Sequence, residues 1–128
     1  VPGRITRLLG LVREAAPGTG VGVHLHNTRG AGIASAWAAV QAGVTQLDAS
    51  AAGLGGCPFA PGATGNIATE ELVYLLEDSG VETGIDLGAA LDAARLAETL
   101  VGHQAGSSLL RAGGRSVPRP SPADAARG

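Results

Sequence analysis

Hydrophobic residues follow first a helical and then a strand period in the first part of the chain. Between Pro2 and Ala16 apolar residues recur at spacings of three, four and seven, while arginines occupy the other positions. This pattern predicts an amphipathic helix that ends at Pro17-Gly18. The period then falls to two, which is typical of a strand: Val21, Val23 and Leu25 alternate with Gly22, His24 and His26.

The next apolar stretches predict a helix, a second strand and a loop. Residues 33–41 are rich in helix formers and are followed by Gly43, a typical helix terminator. Residues 44–49 are typical of a strand. Residues 52–66 contain many Gly and Pro residues and too little periodicity for either element.

Two further helices are predicted after this loop. Thr69 is placed as the N-cap of the first, with Glu70 and Glu71 in its first turn and Gly80 at its end. Asp86 is placed as the cap of the second, whose apolar face continues to about Val101. The apolar pattern fades beyond Gly106, and we expect residues 107–128 to form a disordered Pro/Ala/Arg tail.

The order strand, helix, strand, loop, helix is typical of parallel β/α units, so the predicted fold class is α/β. Two strands alone would leave backbone groups unpaired at both sheet edges, which indicates that further strands join them. The 128 residues are too few for an α/β barrel, which needs about 250. With no initiating Met, the sequence is expected to be part of a longer protein.

Composition excludes several classes of function. A formal net charge of −2 gives no broad positive surface for a nucleic acid, and no apolar run is long enough to cross a membrane. The single cysteine, Cys57, excludes an intramolecular disulfide framework and fits a reducing compartment such as the cytoplasm. We expect a cytoplasmic protein that binds neither nucleic acid nor membranes.

Two histidines are the first candidates for chemistry. His24 and His26 lie two apart on a predicted strand, so both imidazoles leave the same face, with α-carbons roughly 6.6 Å apart. That spacing suits a shared metal ion, although strand histidines are also common as hydrogen-bonded core residues. Asp48 ends the next predicted strand and either orients a neighbouring side chain or caps the loop.

The loop from Gly53 to Asn66 is the second candidate. Its glycines permit a mobile backbone that can close over a ligand, and an ordinary surface loop is the alternative. No Lys-Ser or Lys-Thr follows the glycines, so the phosphate-binding motif of nucleotide-binding proteins is not met.

In order and spacing these segments resemble 3-hydroxy-3-methylglutaryl-CoA (HMG-CoA) lyases, in the metal-dependent lyase and synthase superfamily. The resemblance runs from near Val1 to about Leu100 and rests on Val23-His24-Leu25-His26-Asn27-Thr28, Asp48, Ala52-Gly53-Leu54-Gly55-Gly56-Cys57-Pro58, Gly62-Ala63-Thr64-Gly65-Asn66 and Thr69-Glu70-Glu71-Leu72-Val73-Tyr74. It implies a (β/α)8 barrel, incomplete in this chain, with residues 1–106 as its C-terminal βα units.

The resemblance also implies roles for individual residues. His24, His26 and Asn66 would bind a divalent cation, Mg or Mn, and the catalytic residues would be Cys57, through proton transfer, and His24. The implied flexible loop contains Gly53, Gly55, Gly56, Gly62 and Gly65.

The implied reaction is cleavage of HMG-CoA to acetyl-CoA and acetoacetate, as in leucine degradation. The partner is therefore an acyl-CoA, and the full-length protein is expected to be a homo-oligomer. Two histidines and an amide make an incomplete site for a hard cation, so we expect this chain alone to be inactive.

Two other functions remain open. Isopropylmalate and homocitrate synthases share the histidine pair and the asparagine, but their loop ends in a Gly-Glu-Arg type sequence that is not found here; Cys57 and Pro58 favour the lyase. Alternatively, the chain is a non-catalytic remnant whose open strand edges pair with a partner.

Overall fold

The computed structural model describes residues 1–56 and 65–113, which contain five α-helices, two strands and one 3-10 turn. The elements are, in order, α1 Pro2–Ala15, β1 Gly22–His24, α2 Gly32–Gln41, β2 Gln46–Asp48, the 3-10 turn Ala51–Gly53, α3 Thr69–Asp78, α4 Leu87–Val101 and α5 Ser108–Ala112. The predicted β/α alternation is confirmed.

Strands β1 and β2 form a parallel pair joined by α2. Gly22 pairs with Gln46 and His24 with Asp48. Both strands are shorter than predicted, because the segment before α3 pairs with the residues that follow them. His26 forms an antiparallel bridge with Asn66, and Ser50 forms a parallel bridge with Ala68. This segment therefore meets both strand ends.

The core consists of small aliphatic side chains on the helical side of the sheet. Ala36 of α2 packs with Ile67, Leu72 and Leu76 in one cluster. Leu9 of α1 packs with Ala39 and Val44 in a second cluster. Each fully buried Leu or Ile contributes about 1.5–3 kcal/mol, and the fully buried alanines of α2 let its neighbours approach closely.

Helix α3 begins differently from the sequence prediction. Ala68, not Thr69, occupies the N-cap position, and Thr69 is already helical. The bridge between Ser50 and Ala68 keeps Ala68 extended, and the Thr69 N–H donates to the Ser50 carbonyl, so the helix starts at the next residue. Glu70 and Glu71 lie in the first turn as predicted. Asp86 caps α4 as predicted, accepting from the Ala89 N–H at 2.7 Å.

The predicted disordered tail is wrong for its first residues, which form α5. Ser107 is buried and caps α5 by accepting from the Leu110 N–H. The Glu71 carboxylate of α3 accepts from the backbone N–H groups of Ser108 and Leu109. A negative group at a helix N-terminus satisfies otherwise unpaired donors, and the sequence pattern did not reveal this contact. Residues 114–128 lie outside the described residues, where the prediction stays a prediction.

No helix within residues 1–56 and 65–113 is both long and apolar enough to cross a membrane.

Candidate metal centre

The two strand histidines point to the same side of the sheet and touch each other. Val23 and Leu25, which alternate with them, pack into the two core clusters. The Nε2 atoms of His24 and His26 lie 3.1 Å apart, and the rings meet edge to face with centroids 5.1 Å apart. Alternation along this segment therefore separates a core face from a face that carries the two imidazoles.

The distance between the two Nε2 atoms suits ligation of one cation. Two ligands about 2.1 Å from an ion and at right angles to each other lie about 3 Å apart. The observed distance of 3.1 Å is close to this spacing. The histidine pair can therefore occupy two adjacent positions around one ion.

Asn66 is the cross-strand neighbour of His26. The Ile67 N–H donates to the Leu25 carbonyl and the Asn27 N–H to the Gly65 carbonyl, so His26 and Asn66 form the closely spaced, non-hydrogen-bonded type of antiparallel pair. Residues paired in this way have α-carbons about 4.5 Å apart and side chains on the same face. The backbone thus brings the Asn66 amide beside the histidines.

Within the described residues, the Asn66 side-chain amide makes a hydrogen bond through its nitrogen and none through its oxygen. Its Nδ2 donates to the Leu54 carbonyl at 3.0 Å, whereas its Oδ1 is buried and accepts no hydrogen bond from the described residues. A buried polar oxygen without a partner costs free energy. A buried, unsatisfied oxygen on the residue that pairs with His26 is a suitable ligand for a divalent cation, so the three side chains fit such an ion.

Asp48 is the cross-strand partner of His24. Its Oδ1 accepts a hydrogen bond from His24 Nδ1 at 2.8 Å. The other ring nitrogen of His24, Nε2, contacts His26. Of the two roles considered for Asp48, the structure shows the contact that orients a neighbouring side chain.

The glycines of the loop make room for Asn66. A β-carbon on Gly55 would lie 2.7 Å from Asn66 Nδ2, and one on Gly65 would overlap the Gly55 carbonyl. Both residues have positive φ angles, 112° and 81°, which side chains disfavour. Close backbone approach accounts for these two glycines, whereas a lid does not follow from it.

Glu70 is a buried residue, and its contact with Ala52 was not predicted from the sequence. Its side chain is fully buried, and Oε2 accepts from the Ala52 N–H at 3.1 Å. The signal was present: Glu70 lies three residues before Val73 and six before Leu76, on the apolar face of α3. The prediction from sequence gave it only the role of a first-turn charge.

Cys57 and Gly62 lie outside the described residues, so their predicted roles stay predictions. Gly53 and Gly56 lie within the described part, one residue before and two residues after Leu54, whose carbonyl orients Asn66. Within residues 1–56 and 65–113, no three His, Cys, Asp or Glu side chains converge as a metal site. A pocket beside His26 is lined in part by the cationic Arg4 and Arg29.

Curated relatives are lyases that act on CoA thioesters. Mitochondrial hydroxymethylglutaryl-CoA lyase from Gallus gallus is 47% identical over 91 residues, 71% of this chain and 30% of the relative. (R)-citramalyl-CoA lyase from Chloroflexus aurantiacus is 50% identical over 93 residues, 73% of this chain and 29% of the relative. The chain thus spans about 30% of the length of these relatives. Cytoplasmic localisation stays a prediction, since several relatives are named as mitochondrial.

Solved HMG-CoA lyases share the fold. The enzyme from Acinetobacter baumannii, in complex with coenzyme A and 3-methylmalate, superposes with a TM-score of 0.82 at 41% identity, covering 95% of this chain and 40% of that one. The enzyme from Pseudomonas aeruginosa gives 0.81 at 38% identity, covering 88% and 37%. The prediction of an α/β chain that forms part of a (β/α)8 barrel is confirmed.

The match to a family model extends over most of the chain. The model described as HMGL-like covers residues 1–97, which include both strands, the histidine pair, Asn66 and the first turns of α4. The chain belongs to the HMGL-like family.

Proposed function

We propose that this chain supplies cation-binding and proton-transferring residues to a lyase that cleaves HMG-CoA into acetyl-CoA and acetoacetate. The observation that carries the proposal is the 3.1 Å approach of the His24 and His26 Nε2 atoms. The Asn66 Oδ1, which has no hydrogen-bond partner among the described residues, supports it, as does similarity to lyases of CoA thioesters.

His24, His26 and Asn66 would hold a divalent cation, Mg or Mn. When bound there, such an ion would polarise the substrate hydroxyl and so lower the pKa of the tertiary alcohol. The three side chains come from two neighbouring backbone segments, so their relative positions depend on backbone pairing rather than on a mobile loop.

The reaction requires two proton transfers. A base removes the hydroxyl proton, the carbon–carbon bond breaks, and its electron pair moves to the carbon next to the thioester while the hydroxyl carbon becomes a ketone. An acid then protonates the resulting enolate to give acetyl-CoA. We assign this acid role to the Cys57 thiol, because a thiol exchanges protons near neutral pH.

The first experiment tests two CoA thioesters as substrates of the natural gene product that carries this chain. With Mg²⁺, we expect acetoacetate from HMG-CoA, and we expect Cys57→Ala to reduce turnover by about a hundredfold or more. The matched control is Ser79→Ala, on the exposed end of α3. Unchanged turnover in Cys57→Ala would contradict the proton-transfer role.

Citramalyl-CoA is the second candidate substrate. The Chloroflexus relative that cleaves it has a higher identity, 50%, than the vertebrate HMG-CoA lyases, 47%. Both substrates carry a tertiary hydroxyl and a carboxylate, but citramalyl-CoA has one methylene fewer between them and releases pyruvate. Pyruvate formation with no acetoacetate would favour this alternative.

The 128-residue chain alone tests whether the described ligands suffice. Two imidazoles and one amide oxygen are too few ligands for a hard cation that prefers six oxygens. We expect no cleavage above the background with metal ion alone, and turnover above it would contradict this expectation.

A further inference from the structure

We propose that Asp48 is a positioning residue that fixes the tautomer of His24. The inference rests on the proposed function, since it gives His24 Nε2 the task of binding a cation. Asp48 would hold the ring proton on Nδ1 and thereby leave the Nε2 lone pair directed at the cation position.

The hydrogen bond between His24 and Asp48 has only one possible direction. His24 Nδ1 lies 2.8 Å from Asp48 Oδ1, and the two residues are cross-strand partners in the parallel ladder. A carboxylate only accepts hydrogen bonds, so the ring nitrogen must donate. In a neutral imidazole the other nitrogen, Nε2, then carries a lone pair.

The tautomer of His24 also determines that of His26. His24 Nε2 accepts under this arrangement, so the contact at 3.1 Å requires His26 to donate from its own Nε2 in the absence of a cation. His26 Nδ1, buried and without a hydrogen-bond partner among the described residues, then carries no proton. When both imidazoles are neutral, the two histidines therefore hold opposite tautomers in the cation-free chain.

Removing Asp48 would release the proton of His24 from Nδ1. His24 is then free to carry its proton on Nε2, and an N–H group would point at the position where a cation must bind. Carboxylates that orient metal-binding histidines in this way contribute about 10–100-fold to metal affinity. Asp48 is more than half exposed in this chain, so removing it leaves the core clusters intact.

The test combines a tautomer measurement with a metal titration. Long-range ¹H–¹⁵N NMR of the ¹⁵N-histidine-labelled chain, without added metal, reports which ring nitrogen carries the proton. Electron paramagnetic resonance of free Mn²⁺, added to the natural gene product that carries this chain, then gives its Kd. The variant is Asp48→Ala, and the matched control is Asp92→Ala, which removes an exposed carboxylate from α4.

We expect the Nδ1–H tautomer of His24 in the unchanged chain and in Asp92→Ala, and its loss in Asp48→Ala, where the Kd for Mn²⁺ rises by about 10–100-fold. Asp48→Asn provides a second variant of equal size if Asp48→Ala does not fold. Its amide either accepts from or donates to Nδ1, so we expect mixed tautomers and a smaller rise in Kd.

An unchanged His24 tautomer in both variants would overturn the proposal. So would a changed tautomer with the Kd of the control. If the unchanged chain shows the Nδ1–H tautomer but the natural gene product that carries it binds no Mn²⁺ at any concentration tested, the cation site of the proposed function fails, and the positioning role with it. The NMR measurement would then show that the hydrogen bond between His24 and Asp48 is present and that cation binding is absent.

Discussion

The Glu70 carboxylate accepts a hydrogen bond from the Ala52 N–H at 3.1 Å and thereby joins the first turn of α3 to the start of the glycine-rich segment. Ala52 is fully buried and has a φ angle of 57°, in the left-handed region that costs a non-glycine residue about 1–2 kcal/mol. The buried hydrogen bond stabilises this unfavourable conformation.

Replacing Glu70 should therefore destabilise the chain. In Glu70→Ala the buried Ala52 N–H loses its acceptor and a cavity remains, so we expect the free energy of unfolding to fall by about 2 kcal/mol or more. Urea denaturation followed by circular dichroism measures it. Glu82→Ala, at an exposed position, is the control and should stay within about 0.5 kcal/mol. Equal stability of the two variants would refute the anchoring role.

Gly55→Ala should weaken metal binding by displacing Asn66. The added β-carbon would lie 2.7 Å from Asn66 Nδ2, at a φ of 112°. We expect the Kd for Mn²⁺ to rise by about tenfold or more, as for other residues that orient a ligand. Among the described residues, nothing lies within 4 Å of a β-carbon placed on the neighbouring Gly56, so Gly56→Ala is the matched control. Similar affinities in the two variants would show that Asn66 does not need this space.

Two helix glycines should respond to alanine with opposite sign. A β-carbon on Gly32 would lie 2.5 Å from Ile67 Cγ2 and 2.9 Å from the His26 carbonyl, so Gly32→Ala should destabilise by about 1–3 kcal/mol. A β-carbon on Gly10 in α1 would meet no atom within 4 Å in residues 1–56 and 65–113, so Gly10→Ala should stabilise by about 0.5–1 kcal/mol. Thermal and urea unfolding measure both, and a Gly32→Ala variant as stable as Gly10→Ala would contradict the packing.

The cap of α4 should contribute measurably to stability. Asp86 Oδ1 accepts from the Ala89 N–H at 2.7 Å, and replacing such a cap by alanine costs about 1 kcal/mol. Asp86→Ala should therefore unfold at lower urea concentration than Asp92→Ala, which removes an exposed aspartate inside the same helix. Coincident unfolding curves would show that the cap is not needed.

Periodicity predicted those features that depend on near neighbours in the chain. The helix from Pro2, the cap at Asp86 and the shared face of His24 and His26 all depend on residues within a few positions of each other. The match to solved lyases confirms the fold class that this alternation predicted.

Features that depend on distant pairing were not visible in the pattern. Thr69 is a residue type that often caps helices, but its N–H donates to the carbonyl of Ser50, 19 positions earlier. Likewise, the Glu71 contact that orders α5 spans 37 positions. The sequence pattern allows two roles for Asp48, since only the strand register decides which residue it faces.

The register of β1 against β2 also limits which length changes the chain can tolerate. A slip of one residue would turn the Asp48 side chain to the opposite face of the sheet and leave Leu47 beside His24. Insertions in the exposed turn around Arg29 and Gly30 leave this pairing intact, whereas a single deletion between Gln46 and Asp48 shifts it. Libraries that vary loop length should therefore retain variants in the turn and lose those in the strand.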